Sequence, residues 1–105
     1  HRIVVMGDMG ELGNYAEEAH QNIGRYAKNL GIDSFLGVGA LSKIATDAFG
    51  GDHFQNQDQL LDALAQKIDL LNIPATEVTI LVKGSRSSHM EGIAQALINQ
   101  ESMPC

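Results

Sequence analysis

Apolar residues in this chain follow two alternating rhythms. Continuous short runs occur at Ile3-Val4-Val5-Met6, at Ser34-Phe35-Leu36-Gly37-Val38 and at Val78-Thr79-Ile80-Leu81-Val82, with a weaker one at His53-Phe54. Between and after them, apolar positions recur at helical spacing. The first stripe is Ala16, Ala19, Ile23, Ala27 and Leu30; the second is Leu41, Ile44, Ala45 and Ala48. The third is Leu60, Leu61, Leu64, Ile68 and Leu71, and the last is Met90, Ile93, Ala94, Leu97 and Ile98. The first run predicts a strand covered on both faces, the other runs predict further strands, and the spaced stripes predict amphipathic helices. The punctuation agrees: Gly31, Gly50-Gly51, and Asn72 with Pro74 close the first three helices. Asn14 with Glu17, and Ser88 with Glu91, have the spacing of reciprocal caps at the start of the first and last helices.

Strand and helix thus alternate four times. This predicts an α/β fold, a three-layer, Rossmann-like domain with a mostly parallel sheet and helices on both faces. Right-handed crossovers restrict the topology to an expected strand order of 3-2-1-4, with a reversal between the first and fourth strands. No internal repeat, low-complexity stretch or linker interrupts the 105 residues, a length that suits one domain with one core.

Ligands of such folds bind beyond the carboxyl ends of the strands, where the strand order reverses. Two glycine-punctuated loops are expected there. Gly7-Asp8-Met9-Gly10-Glu11-Leu12-Gly13 leaves the first strand, and Lys83-Gly84-Ser85-Arg86-Ser87-Ser88 leaves the fourth. Asp8, Glu11, Lys83, Ser85 and Arg86 would converge, facing two helix amino ends whose free N–H groups favour an anion. Each residue also has a plainer reading. Glycines after a strand often serve only a tight turn. Asp8 is as well suited to satisfying backbone amides as to chemistry, and Glu11 taken alone reads as a solvated carboxylate. Lys83, directly after an apolar strand, either emerges at the strand end or suffers desolvation. Arg86 has the forked geometry that binds both oxygens of a carboxylate or phosphate. Ser87 and Ser88 read as caps. His20 reads as a hydrogen-bonded structural histidine on the inner side of the first helix; His53 and His89 lack metal-ligand spacing, and His1 is terminal.

Composition narrows the function classes. Hydrophobic residues make up 44% and aromatics only 5%, with no Trp, so the core is built from Ile, Leu, Val, Met and Ala. A net charge of −6 argues against nucleic acid and against an anionic membrane as partners. The single cysteine, Cys105, permits neither an internal disulfide nor a zinc set, which suits a reducing cytoplasm. No apolar run approaches the roughly 18 residues of a membrane span. The first residue is His1 and a strand follows almost at once, as expected of a piece cut from a longer protein. The pattern G-x-x-x-x-G-K-[ST] does not occur, so the chain has no Walker loop of its own. The first loop reads G-x-x-G-x-x-G, and Val38-Gly39-Ala40 stands where a ribose-binding acid would be, which argues against a complete dinucleotide site. Three other readings stay open. One is a receiver-like signalling module, although neither Val38-Gly39 nor Phe54-Gln55 supplies a phosphoacceptor aspartate. The others are a nucleotide-binding oxidoreductase domain and a purely structural docking domain.

GDMGELG, the helix containing Glu18, His20 and Gly24, and the strand–loop LVKGSRSSHME together resemble the carboxy-terminal domain of the Mur ligase family. Within that family the likeness is to the enzymes that add D-alanyl-D-alanine to a UDP-N-acetylmuramoyl-tripeptide. It runs from about Arg2 to about Ile98, and both motifs, near G-D-M-x-E-L-G and V-K-G-S-R-x-x-x-M-E, stand in the expected order. The resemblance implies an ATP-dependent amide-bond ligase of peptidoglycan precursor synthesis with three domains. An amino-terminal domain holds the UDP-sugar peptide, and a central domain carries the Walker loop and Mg2+. The third, similar to this chain, closes over ATP and brings in the dipeptide. The peptide carboxylate is activated as an acyl phosphate and then attacked by the amine of D-alanyl-D-alanine. On this resemblance Arg86 and Ser85, with Gly84, would hold the dipeptide carboxylate. Lys83 would act catalytically by offsetting charge near the phosphate or that carboxylate. Asp8 and Glu11 would face the nucleotide or order the interdomain surface, and no metal ligand is expected here. The piece alone would be inactive, because the phosphate cradle lies elsewhere.

Overall fold

In a computed structural model, which describes residues 1–9 and 13–84, the first apolar run forms β1 (Arg2–Met6). A 3-10 turn (Gly13–Tyr15) leads into α1 (Ala16–Asn29), followed by β2 (Ser34–Val38) and α2 (Ser42–Phe49). Then come β3 (Asp52–Phe54), α3 (Gln57–Leu71), a second 3-10 turn (Ala75–Glu77) and β4 (Thr79–Lys83). The strands make one sheet in the order β3-β2-β1-β4, and every pairing is parallel. The register aligns Met6 with Gly37 on one side and with Lys83 on the other. The expected last helix, with its Ser88–Glu91 cap and its Met90, Ile93, Ala94, Leu97 and Ile98 stripe, lies outside the described residues. So do Gly10, Glu11, Leu12, Ser85 and Arg86.

Because side chains alternate across a strand, each continuous run feeds two cores. Ile3 and Val5 of β1, with Leu36 and Val38 of β2, pack under Leu60 and Leu64 of α3. Val4, Met6 and Phe35 point the other way, against Ala27 of α1 and Ala45 of α2. The rings of Phe35 and Phe49 lie 5.3 Å apart in a tilted contact. The two helices over this second face meet closely at Gly24, where an added Cβ would collide with the Ala45 carbonyl oxygen and stand 2.9 Å from Ala48 Cβ.

One sequence expectation changes. The Asn14–Glu17 cap does not form. The chain enters α1 through the 3-10 turn, and Tyr15 at the cap position (φ −95°, ψ 3°) makes no side-chain cap bond. It lacks the extended geometry from which a cap reaches forward. Asn56 does have that geometry, and its side chain accepts from Gln59 N–H to start α3. Among the described residues β4 is covered unequally on its two faces. Ile80 and Val82 pack toward α3, whereas Leu81 is 49% exposed on the opposite face. The crossover through α1 steps from β1 to β2 and that through α2 from β2 to β3, both away from β4. Among the described residues a groove of about 630 Å³ therefore opens between α1 and β4, floored by Val4, Met6 and Phe35 and flanked by Tyr26 and Leu81. No helix among the described residues is long and apolar enough to cross a membrane.

Candidate functional site

The site is built where β1 and β4 end together. Their ladder continues one step past β1, because Gly7 N–H donates to the Lys83 carbonyl at 2.7 Å. The loops that begin at Gly7 and Gly84 therefore start side by side on the carboxyl edge. The chain turns from β1 toward β2 on one side, while β4 lies on the other, so this is the reversal point of the sheet. Lys83 is the last residue of β4, exposed, and lines one end of the groove beside α1. Of the two outcomes open to it, emergence rather than burial is the one adopted.

Asp8 takes a different course. Its Oδ1 accepts from Ser42 N–H at 2.8 Å, so the carboxylate reaches away from β4 to the amino end of α2. There it serves as the cap that α2 lacks, since Leu41 at the cap position has no side-chain cap bond. A carboxylate at that end also complements the helix dipole. Gly39, with φ +108°, leaves the room: a Cβ there would stand 2.5 Å from Asp8 Oδ1. Asp8 thus satisfies a backbone amide of α2, that of Ser42.

Two histidines hold the same rim. His20 is fully buried in α1. Its Nε2 accepts from Met9 N–H at 3.1 Å, and its Nδ1 donates to the Ala16 carbonyl at 2.6 Å. This fulfils the structural reading of His20. His53 of β3 donates from Nε2 to the Gly39 carbonyl at 2.7 Å, fixing the loop after β2 from the far side. Sequence reasoning found no role for His53 and did not connect Asp8 with Ser42. Neither link has a sequence signature, because each joins a loop to a separate element. Gly84 is exposed beside Lys83; Glu11, Ser85 and Arg86 lie outside the described residues. Among the described residues no group of three or more His, Cys, Asp or Glu side chains could hold a metal ion.

The chain is similar over its whole length to the UDP-N-acetylmuramoyl-tripeptide–D-alanyl-D-alanine ligase of Escherichia coli, with 42% identity over 106 residues. The ligase of the same name from Buchnera aphidicola (subsp. Acyrthosiphon pisum) is 36% identical over 106 residues. The chain spans about a fifth of the length of these relatives, 22% in both cases, and matches their carboxy-terminal region. Among solved structures, a crystal structure of MurF from Acinetobacter baumannii superimposes with a TM-score of 0.80 at 30% identity, covering 93% of this chain and 22% of that one. Another ligase structure from the same organism, described as a UDP-N-acetylmuramoylalanyl-D-glutamyl-2,6-diaminopimelate–D-alanyl-D-alanyl ligase, gives a TM-score of 0.72 at 31% identity, covering 92% and 20%. No protein-family model matches the chain.

Proposed function

We propose that this chain, homologous to the carboxy-terminal region of the UDP-N-acetylmuramoyl-tripeptide–D-alanyl-D-alanine ligases, is the closing domain of such an enzyme. The longer protein would join D-alanyl-D-alanine to the tripeptide in peptidoglycan precursor synthesis. The tripeptide carboxylate, activated by ATP as an acyl phosphate, would be attacked by the dipeptide amine, and phosphate would leave. A central domain would hold ATP and Mg2+, and an amino-terminal domain the UDP-sugar peptide. The described residues contain no metal-ligand cluster, and the amino end of α2 already carries Asp8. A cytoplasmic location goes with this reading.

The observation that carries the proposal is the bond from Gly7 N–H to the Lys83 carbonyl. It starts both glycine loops together, in a chain whose relatives bear this ligase's name. In the assigned roles, Arg86 and Ser85, with the Gly84 backbone, hold the dipeptide carboxylate, and Lys83 offsets negative charge beside it or beside the phosphate. Glu11 faces the nucleotide or the interdomain surface. Asp8 orders that surface from below by fixing α2. Holding two substrates in register can supply roughly 7–11 kcal/mol of barrier reduction, and closure keeps water from an acyl phosphate.

The test is Arg86→Ala in the full-length ligase. Loss of a charge-assisted pair with a carboxylate, about 1.5–3 kcal/mol, should raise the KM for D-alanyl-D-alanine about tenfold or more and leave the KM for ATP nearly unchanged. Unchanged dipeptide KM and kcat would remove Arg86 from the site.

A further inference from the structure

We propose that His20 is a positioning residue for the substrate-facing rim: its neutral imidazole, acting through the Met9 amide, sets where the loop after β1 lies. The proposal rests on the ligase reading for its catalytic consequence and on the described geometry for the tether itself. The first three residues of that loop are each tied to a different element. Gly7 N–H bonds to Lys83 of β4, the Asp8 carboxylate to Ser42 of α2, and Met9 N–H to His20 of α1. Position along the sheet, distance from α2 and distance from α1 are thereby fixed by three separate bonds.

The two bonds of His20 assign its tautomer. A backbone N–H cannot accept, so Nε2 facing Met9 is bare; a carbonyl oxygen cannot donate, so Nδ1 facing Ala16 carries the proton. The ring is uncharged and satisfied at both nitrogens, and the residue has no exposed surface. Turning the ring over would break both bonds. The Met9 side chain packs against the α1–α2 core as well, so its peptide is held from two directions. A leucine in place of His20 could fill the volume but would leave the Met9 N–H without this acceptor. The histidine does what a core residue cannot: it transmits the position of α1 to the loop that begins beside Lys83.

The closing experiment separates the tether from simple core filling. In the 105-residue chain, 15N spectra should give His20 as the Nδ1–H tautomer, and the Met9 amide should exchange slowly with solvent. In the full-length ligase, His20→Gln places an amide oxygen near the Nε2 position and keeps the Met9 bond, whereas His20→Asn reaches only the Nδ1 position and loses it. His20→Asn should lower kcat/KM for D-alanyl-D-alanine about tenfold or more, in the range that misplacing a reacting group brings, and His20→Gln should restore most of it. A bare Nδ1, rapid exchange of the Met9 amide in the folded chain, or equal activity of the two amide variants would overturn the proposal. If both variants fail to fold, the ring and amide signals of the unaltered chain still decide it. Absence of ligation by the unaltered full-length protein would instead overturn the ligase reading, leaving the tether to be judged on those signals.

Discussion

A carboxylate near a proposed site is easily taken for chemistry, and Asp8 illustrates what geometry adds. Its Oδ1 caps α2 through Ser42 N–H, and Gly39 has no side chain in the space it crosses. Asp8→Ala should therefore cost stability, about 1–2 kcal/mol as for other lost helix caps. For a domain of this size that is a fall in Tm of about 4–8 °C per kcal/mol. Asp8→Asn keeps an acceptor oxygen and should recover most of the loss in thermal unfolding. If Asn proved as damaging as Ala, the charge rather than the cap would be what matters. Gly39→Ala would combine a left-handed backbone with a clash on the same carboxylate, so it belongs to the same small unit.

At the scale of elements, the contact between α1 and α2 decides how the face that covers Val4, Met6 and Phe35 is closed. Gly24 lets α1 approach the backbone of α2, with the Ala45 carbonyl and Ala48 directly beneath. Gly24→Ala raises intrinsic helix propensity by about 1 kcal/mol. Overpacking a close contact costs about 1–3 kcal/mol, and here the obstructing atom is backbone and cannot swing aside. The net expectation is destabilisation, measured as a lower denaturant midpoint. Increased stability would mean that the helices can separate freely. The sequence stripe on α1 pointed to Ala16, Ala19, Ile23, Ala27 and Leu30. The buried positions are His20, Gly24 and Ala27, with Leu30, just past the helix, 49% exposed. Ala16, Ala19 and Ile23 are half-buried on the same side, so the stripe marks the inner face, and the tightest contact on it is made by the smallest residue, Gly24, which a hydrophobicity pattern cannot register.

For the molecule as a whole, apolar cores lie on opposite faces of one parallel sheet. The 105-residue chain should unfold cooperatively and yet show no ATP-dependent ligation when given D-alanyl-D-alanine and the UDP-sugar tripeptide. On the proposed function the phosphate cradle belongs to another domain. Amide formation by this chain alone, followed by mass spectrometry, would contradict that division of labour.

Local pattern was enough for the strands, the first three helices and the order β3-β2-β1-β4, because strand and helix periods differ and crossover handedness leaves few arrangements. The meeting of the first and fourth strand ends followed from that order, and the bond between Gly7 and Lys83 realises it. What pattern could not supply was the direction of individual side chains along the rim. Asp8 turned to α2, His53 bound the loop after β2, and His20 took hold of the Met9 amide, each through a hydrogen bond between segments distant in sequence. Periodicity records which face a residue occupies; a hydrogen bond depends on a few tenths of an ångström and on the angle of a partner, and these are set only when the elements have packed.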